Sequence, residues 1–229
     1  MKNILKTAFY FFSRIFSRFP LLWFSDLLIK FGYMIRSENL YYSCDAMIFK
    51  NRYQIHENFS KMLLSEEEVH FLEFGVCEGD TFAIWVRNNL NSASRFWGFD
   101  SFQGLPEDWG SWKKGSFSTQ GKLPDIDDER CRFIVGLIQD TLPDEILNIK
   151  QACKKVIHID VDLYSATLAT LSYIRPLLRP GDIIIFDDFF TIVVADHEFK
   201  AFWDFLASWD ISYKPLAKCR MGQFVIEIK

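Results

Sequence analysis

Two apolar runs in this sequence end in carboxylates: His158-Ile159-Asp160-Val161-Asp162-Leu163-Tyr164 and Ile185-Phe186-Asp187-Asp188-Phe189. If the runs are neighbouring strands, Asp160, Asp187 and Asp188 converge on one sheet edge. Three carboxylates within ~5 Å of each other raise one another's pKa unless a cation sits among them. Such an oxygen-rich set suits a hard ion such as Mg²⁺. The competing explanation has Asp162 capping a helix that begins near Ser165 and one of the paired acids facing solvent, which accounts for one acid and hardly for four. An earlier run ends in Glu73-Phe74-Gly75-Val76-Cys77-Glu78-Gly79-Asp80-Thr81, where glycines allow a tight turn and a close approach to a ligand. Its spacing is GxxxG, which a plain strand-to-helix turn would share. Asp100 follows Gly98-Phe99 about 20 residues later, where an acid accepts hydrogen bonds from ribose hydroxyls or caps the next helix. The turn from Gly136 to Pro143 suits the edge of an adenine ring, with Asp140 there or serving as a helix N-cap. Among the histidines, His158 reads as a core residue, His197 as a candidate contact to an acceptor, and His56 and His70 as structural.

The elements that must position these residues are short apolar runs at His70 to Phe74, Phe96 to Phe99, Cys131 to Val135, Val156 to Ile159 and Asp182 to Phe186. Longer crossovers separate them, the pattern of a doubly wound, mostly parallel α/β sheet with helices on both faces. Helices are predicted at Ala166 to Leu178 and Glu198 to Trp209, and a closing antiparallel pair at Ile211 to Leu216 and Gln223 to Ile228. In an open sheet of this kind ligands lie outside the carboxyl ends of the strands, where the acids and glycines stand.

Before residue 69 the character differs. Residues 1 to 36 carry Lys2, Lys6, Arg14, Arg18, Lys30 and Arg36 against Asp26 alone, among apolar stretches at near-helical spacing broken by Pro20. This basic amphipathic pair is expected to pack on the body or on a second copy of the chain, giving a homo-oligomer. Attachment to a membrane surface is the alternative. Residues 37 to 68 read as loop and further helix, with Ser65-Glu66-Glu67-Glu68 as a capped helix start. The sequence thus divides into a helical extension, 1 to 68, and a catalytic-type domain, 69 to 229. No run of ~18 apolar residues spans a membrane, and no signal peptide is recognisable.

Composition narrows the function classes. With 229 residues, 49% hydrophobic and 24% charged, the chain holds one domain and an appendage and is not disordered. The net charge of -4 leaves an acidic body once the basic N-terminal segment is set aside, which argues against nucleic acid as a partner. Five cysteines without a CxxC or Cys/His cluster suggest reduced thiols in a cytoplasmic protein. Phe, Trp and Tyr number 24, 7 and 8, enough rings to fill a core or line an apolar cleft.

Taken together, the glycine turn Glu73 to Gly79, FDSFQGLPEDW at 99 to 109, the Gly136 to Pro143 turn, HIDVDLY at 158 to 164 and FDDFF at 186 to 190 resemble the macrocin O-methyltransferase (TylF/MycF-type) family. The resemblance covers roughly residues 69 to 229. It implies a class I, Rossmann-like methyltransferase that uses S-adenosylmethionine and Mg²⁺. Glu73, Gly75, Gly79 and Thr81 match positions holding the methionine end of the cofactor, and Asp100 the ribose-binding acid, with Ser101 beside it and Asp140 at the adenine turn. Asp160, Asp187 and Asp188 match the metal ligands, and Asp162 the general base. The implied acceptor is a small-molecule or glycan hydroxyl. FFTIVVADHEF at 189 to 199 lacks the glycine-rich stretch expected near that acceptor. A catalytically silent binding protein and a nicotinamide oxidoreductase are the rival readings, the first expected to lose acids that are all retained here and the second to show a GxGxxG that is missing.

Overall fold

The computed structural model describes residues 21–62, 66–191, 196–220 and 222–229. In chain order the elements are α1 (Leu21–Ser43), β1 (Met47–Phe49), α2 (Arg52–Met62), β2 (Val69–Phe74), α3 (Asp80–Asn88), β3 (Arg95–Asp100), β4 (Cys131–Val135), α4 (Ile138–Glu145), β5 (Lys154–Ile159), α5 (Tyr164–Ile174), β6 (Ile183–Phe186), α6 (Glu198–Ser208), β7 (Tyr213–Cys219) and β8 (Phe224–Ile228). The strands form one sheet in the order β1-β7-β8-β6-β5-β2-β3-β4. Among them β8 alone runs antiparallel to its neighbours, so the doubly wound, mostly parallel architecture is as expected.

The sheet separates two apolar layers. On one face Leu72, Phe74, Ile157, Ile159 and Phe186 meet α4, α5 and α6, with Tyr33, Leu40 and Tyr41 of α1 packed against them. On the other, Phe71, Val156 and Ile185 meet Ile55 and Phe59 of α2 and Phe82 and Trp85 of α3. Alternation along a strand sends successive side chains to opposite faces. Glu73 and His158, paired in the β2–β5 register, therefore share the α2 side of the sheet.

Where the acids of β6 end the strand, Phe189 is fully buried and meets the rings of Phe186, Phe199, Phe202 and Phe224 at centroid distances of 4.7 to 5.6 Å. This aromatic knot fixes the backbone that carries Asp187 and Asp188.

Several expectations for the N-terminal part are corrected. Residues 66 to 68 lead directly into β2, so no helix starts at Glu66; Ser65 lies outside the described residues. The sheet also reaches back across residue 68, since β1 pairs in parallel with β7, Met47 opposite Ala217. Residues 1 to 20 of the predicted helical pair are likewise outside the described residues. Among the described residues no helix is long and apolar enough to cross a membrane. The helix at 166 to 178 begins earlier, at Tyr164, and tightens into a 3₁₀ turn at Arg175–Leu177.

Replacing Phe189 by Ala should empty the centre of the knot and cost about 3–5 kcal/mol of stability. Urea denaturation of the purified variant measures this; a loss under about 1 kcal/mol would mean that the rings close over the gap.

Candidate active site

A cleft of about 750 Å³ opens at the carboxyl ends of β2, β3, β5 and β6. Gly75, Gly79, Thr81, Asp100, Ser101, Asp160, Asp162, Asp187 and Asp188 all line it. Glu73 and Asp140 do not. Asp140 is exposed in the first turn of α4, whose N-cap position is held by Leu137, so it neither caps that helix nor faces the cleft; Gly136, Leu137, Ile138 and Gln139 do.

The turn after β2 is built around Gly75, which sits at φ +85°, and a Cβ there would lie 1.8 Å from the Asp160 carbonyl oxygen. Only glycine lets the β2 turn lie this close to the end of β5. Asp100 holds the same turn from the other side. Its Oδ2 accepts hydrogen bonds from the amides of Val76 and Cys77, each at 2.8 Å, and its Oδ1 accepts one from Phe102 at 2.7 Å. A carboxylate has about four acceptor sites, so Asp100 both shapes the glycine turn and keeps capacity for a ligand hydroxyl. Residues 101 to 130 form a further wall, where Leu105 and Trp109 are buried and Trp112 and Phe117 are exposed, their rings 6.1 Å apart and stacked.

Asp160, Asp187 and Asp188 each offer a carboxylate oxygen, and the three lie within 4.8 Å of one another. Sequence reasoning missed what sits among them. Arg52, at the start of α2, pairs with Asp160 and places its other terminal nitrogen 3.0 Å from Asp187. Gln223 donates to Asp187 Oδ1 at 2.9 Å, and Thr191 to Asp188 Oδ1 at 2.9 Å. Glu198, fully buried at the start of α6, accepts a hydrogen bond from the Asp188 amide at 2.9 Å.

His158 turns out to be more than core filling. Its ring is fully buried between two acids, Nδ1 3.1 Å from Glu73 Oε1 and Nε2 3.6 Å from Asp187 Oδ1. Glu73 in turn accepts a hydrogen bond from the Thr81 hydroxyl, so it positions cleft residues from beneath. His56 accepts a hydrogen bond from the Trp85 indole at 2.9 Å. His197 accepts one from the Tyr164 amide at 3.3 Å and stands outside the cleft wall.

The electrostatics follow from this crowding. Burial, then the neighbouring Asp187, pushes the Asp160 carboxyl up to about 7. Burial and Asp160 push Asp162 up to about 9. Burial also raises Asp188 and holds Glu198 well above its ordinary range. Against the burial cost, His158 and Arg52 hold Asp187 down at about 2. Burial lowers His158, yet Asp187 and Glu73 outweigh it and raise the imidazole to about 9. One guanidinium and one imidazolium leave the remaining acids short of positive charge. Three convergent carboxylate oxygens, with Asp160 and Asp188 left under-compensated, fit a divalent, oxygen-seeking cation.

The family profile described as "Methyltransferase domain" matches residues 72–189. The 8-demethyl-8-(2,3-dimethoxy-alpha-L-rhamnosyl)-tetracenomycin-C 4'-O-methyltransferase of Streptomyces olivaceus is 29% identical over 144 residues, 52% of this chain and 52% of that protein. The chain thus spans about half the length of that curated relative. Among solved structures, CalS11, a calicheamicin methyltransferase, superposes with a TM-score of 0.61 at 18% identity over 86% of this chain and 91% of its own. The O-methyltransferase NovP superposes with a TM-score of 0.54 at 22% identity over 76% of each chain.

Arg52→Gln should leave Asp160 and Asp187 without their cationic partner and cost about 1–3 kcal/mol. An Asp held at about 7 in the fold, against roughly 3.9 unfolded, draws stability down as pH rises through that window. Loss of Arg52 pushes this carboxyl higher still. The loss in urea melts is therefore expected to be larger at about pH 8 than at about pH 5, and equal losses at both would refute this charge assignment.

Proposed function

The chain belongs to the methyltransferase-domain family, and from that premise we propose that it is an S-adenosylmethionine-dependent O-methyltransferase acting on a hydroxyl of a sugar, as in a glycosylated natural product or polysaccharide. The observation that carries the reading is that a glycine turn, the Asp100 carboxylate and a convergent acid cluster line one cleft. Its size falls in the range of small-molecule sites. The rhamnosyl substrate in the name of the Streptomyces olivaceus relative supports a sugar acceptor. The motifs at 99 to 109, 158 to 164 and 186 to 190 support the narrower macrocin O-methyltransferase assignment.

The residues divide the work by position. Gly75, Gly79, Thr81 and Ser101 border the space for the cofactor, and Asp100 holds the turn while offering acceptor capacity toward ribose. Asp160, Asp187 and Asp188 are the residues that would hold Mg²⁺. Bound there, the ion supplies Lewis-acid polarisation of a hydroxyl that is otherwise a poor nucleophile. Asp162 stands beside this set and accepts the hydroxyl proton. Its raised pKa makes it a stronger base than an ordinary aspartate, and nearby positive charge is what brings it to the ionised form. Methyl transfer is an in-line displacement, so alignment by the cleft walls matters as much as deprotonation. Leu105, Trp109, Trp112 and Phe117 offer apolar faces that suit the C–H surface of a sugar. The row of half-exposed apolar residues on α1, including Leu28, Ile29, Phe31 and Ile35, favours contact with a second copy of the chain.

Incubating the chain with S-adenosylmethionine, Mg²⁺ and rhamnosylated or other glycosylated acceptors should give a product one methyl heavier by mass spectrometry. Chelation should stop the reaction, and Mg²⁺ restore it. Asp162→Asn should slow transfer roughly 10²- to 10⁴-fold while cofactor affinity stays near normal. Asp100→Ala should weaken S-adenosylhomocysteine binding in calorimetry by about 1–3 kcal/mol. Full activity under chelation would remove the metal from this account, and methylation confined to non-sugar acceptors would remove the sugar.

A further inference from the structure

We propose that His70, Cys153 and Glu68 form a second cation site, for a thiophilic divalent ion of the Zn²⁺ class, at the rim of the sheet opposite the cleft. Nitrogen, sulfur and oxygen donors from these residues lie within 4.8 Å of one another. They sit where two neighbouring parallel strands begin: Val69 pairs with Lys154 and His70 with Lys155, which brings the residues just before β2 and β5 side by side. With six residues in β2 at about 3.3 Å each, this rim is about 20 Å from the acid cluster.

His70 supplies the independent observation. Its side chain is 1% exposed, yet among the described residues neither ring nitrogen has a hydrogen-bond partner. Buried polar atoms are nearly always satisfied, so such a ring calls for an explanation. Trp97 packs on it at a centroid distance of 4.7 Å and fixes its plane. Burial favours the neutral imidazole, the form with a lone pair to give. Cys153 is buried and its thiol points at the Glu68 carbonyl oxygen at 3.2 Å. Coordination would release the thiol proton to solvent as the sulfur–metal bond forms.

The charges around the site are accounted for. Lys150 pairs with the Glu68 carboxylate at 2.8 Å on the exposed side, a contact that metal binding would replace. Lys155, buried, is engaged by Asp182 at 3.1 Å and by the Cys153 carbonyl at 2.9 Å. Arg95 lies on the solvent side and hydrogen-bonds the Ser92 and Ser94 carbonyls. A mixed N, S, O donor set selects Zn²⁺ or Co²⁺ over Mg²⁺, whereas the all-oxygen cluster in the cleft does the reverse. Glu68 is half-exposed, so the site is open to solvent on that side.

Titration of the full chain with Co²⁺, in excess Mg²⁺ to keep the acid cluster filled, tests the site. A thiolate-to-cobalt charge-transfer band saturating at one equivalent is expected. It should vanish in Cys153→Ser, and Co²⁺ affinity should fall roughly 10-fold or more in His70→Gln. Zn²⁺ should raise the melting temperature of the unaltered chain and not that of Cys153→Ser. Absence of the band in the unaltered chain, its persistence in Cys153→Ser, or an equal Zn²⁺ effect on both proteins would overturn the proposal. The unaltered chain alone suffices for the first of these if a variant does not fold.

Discussion

The site depends on one constraint: a set of buried and half-buried carboxylates must be kept close to each other at the ends of β5 and β6. Left alone they would repel and take up protons. The fold answers with two internal cations, both on the α2 side of the sheet. Arg52 comes in from the start of α2, and His158 rises from within β5 to stand between Glu73 and Asp187. The answer is partial, as the raised carboxyls of Asp160 and Asp162 show. That shortfall is what gives the cluster its appetite for further positive charge.

The same arrangement ties the two halves of the cleft together. Glu73 touches Thr81 on the glycine-turn side and His158 on its other side, and His158 touches Asp187. Gly75 brings the backbone of that turn against Asp160. Polar contacts and a close backbone approach thus connect the wall bordered by glycines to the wall bordered by acids.

Much of this was legible in the sequence because buried parallel strands write themselves as apolar runs. The apolar run Cys131 to Val135 is β4 to the residue, and the runs that lead to Asp100, Asp160 and Asp187 match their strands to within a residue or two. What sequence could not show was partnership over distance. Nothing near Arg52 marks it as the counter-ion of Asp160, more than a hundred positions away, and His158 looked like filler because its two acids lie on other strands. β1 leaves no mark in the sequence because three largely exposed residues carry no period, and their strand character comes from β7. Glu66 to Glu68 looked like a capped helix start because acids after a serine fit that rule; the apolar run from Val69 prevailed. The sequence position of Asp100 points to ligand binding or a helix cap, whereas three backbone amides already use its carboxylate.

The pairing of β1 with β7 sets an order of assembly. Met47 leaves the ribosome about 170 residues ahead of its partner Ala217. Arg52, a few residues beyond Met47, must likewise wait for Asp160 and Asp187. During synthesis the early helices therefore hold apolar faces with nothing to cover them. Closing so long a loop is entropically costly and slow. The segment that completes the acid cluster is thus made well before the acids it completes, and the nascent chain carries an unfinished site until the strands that bear them exist.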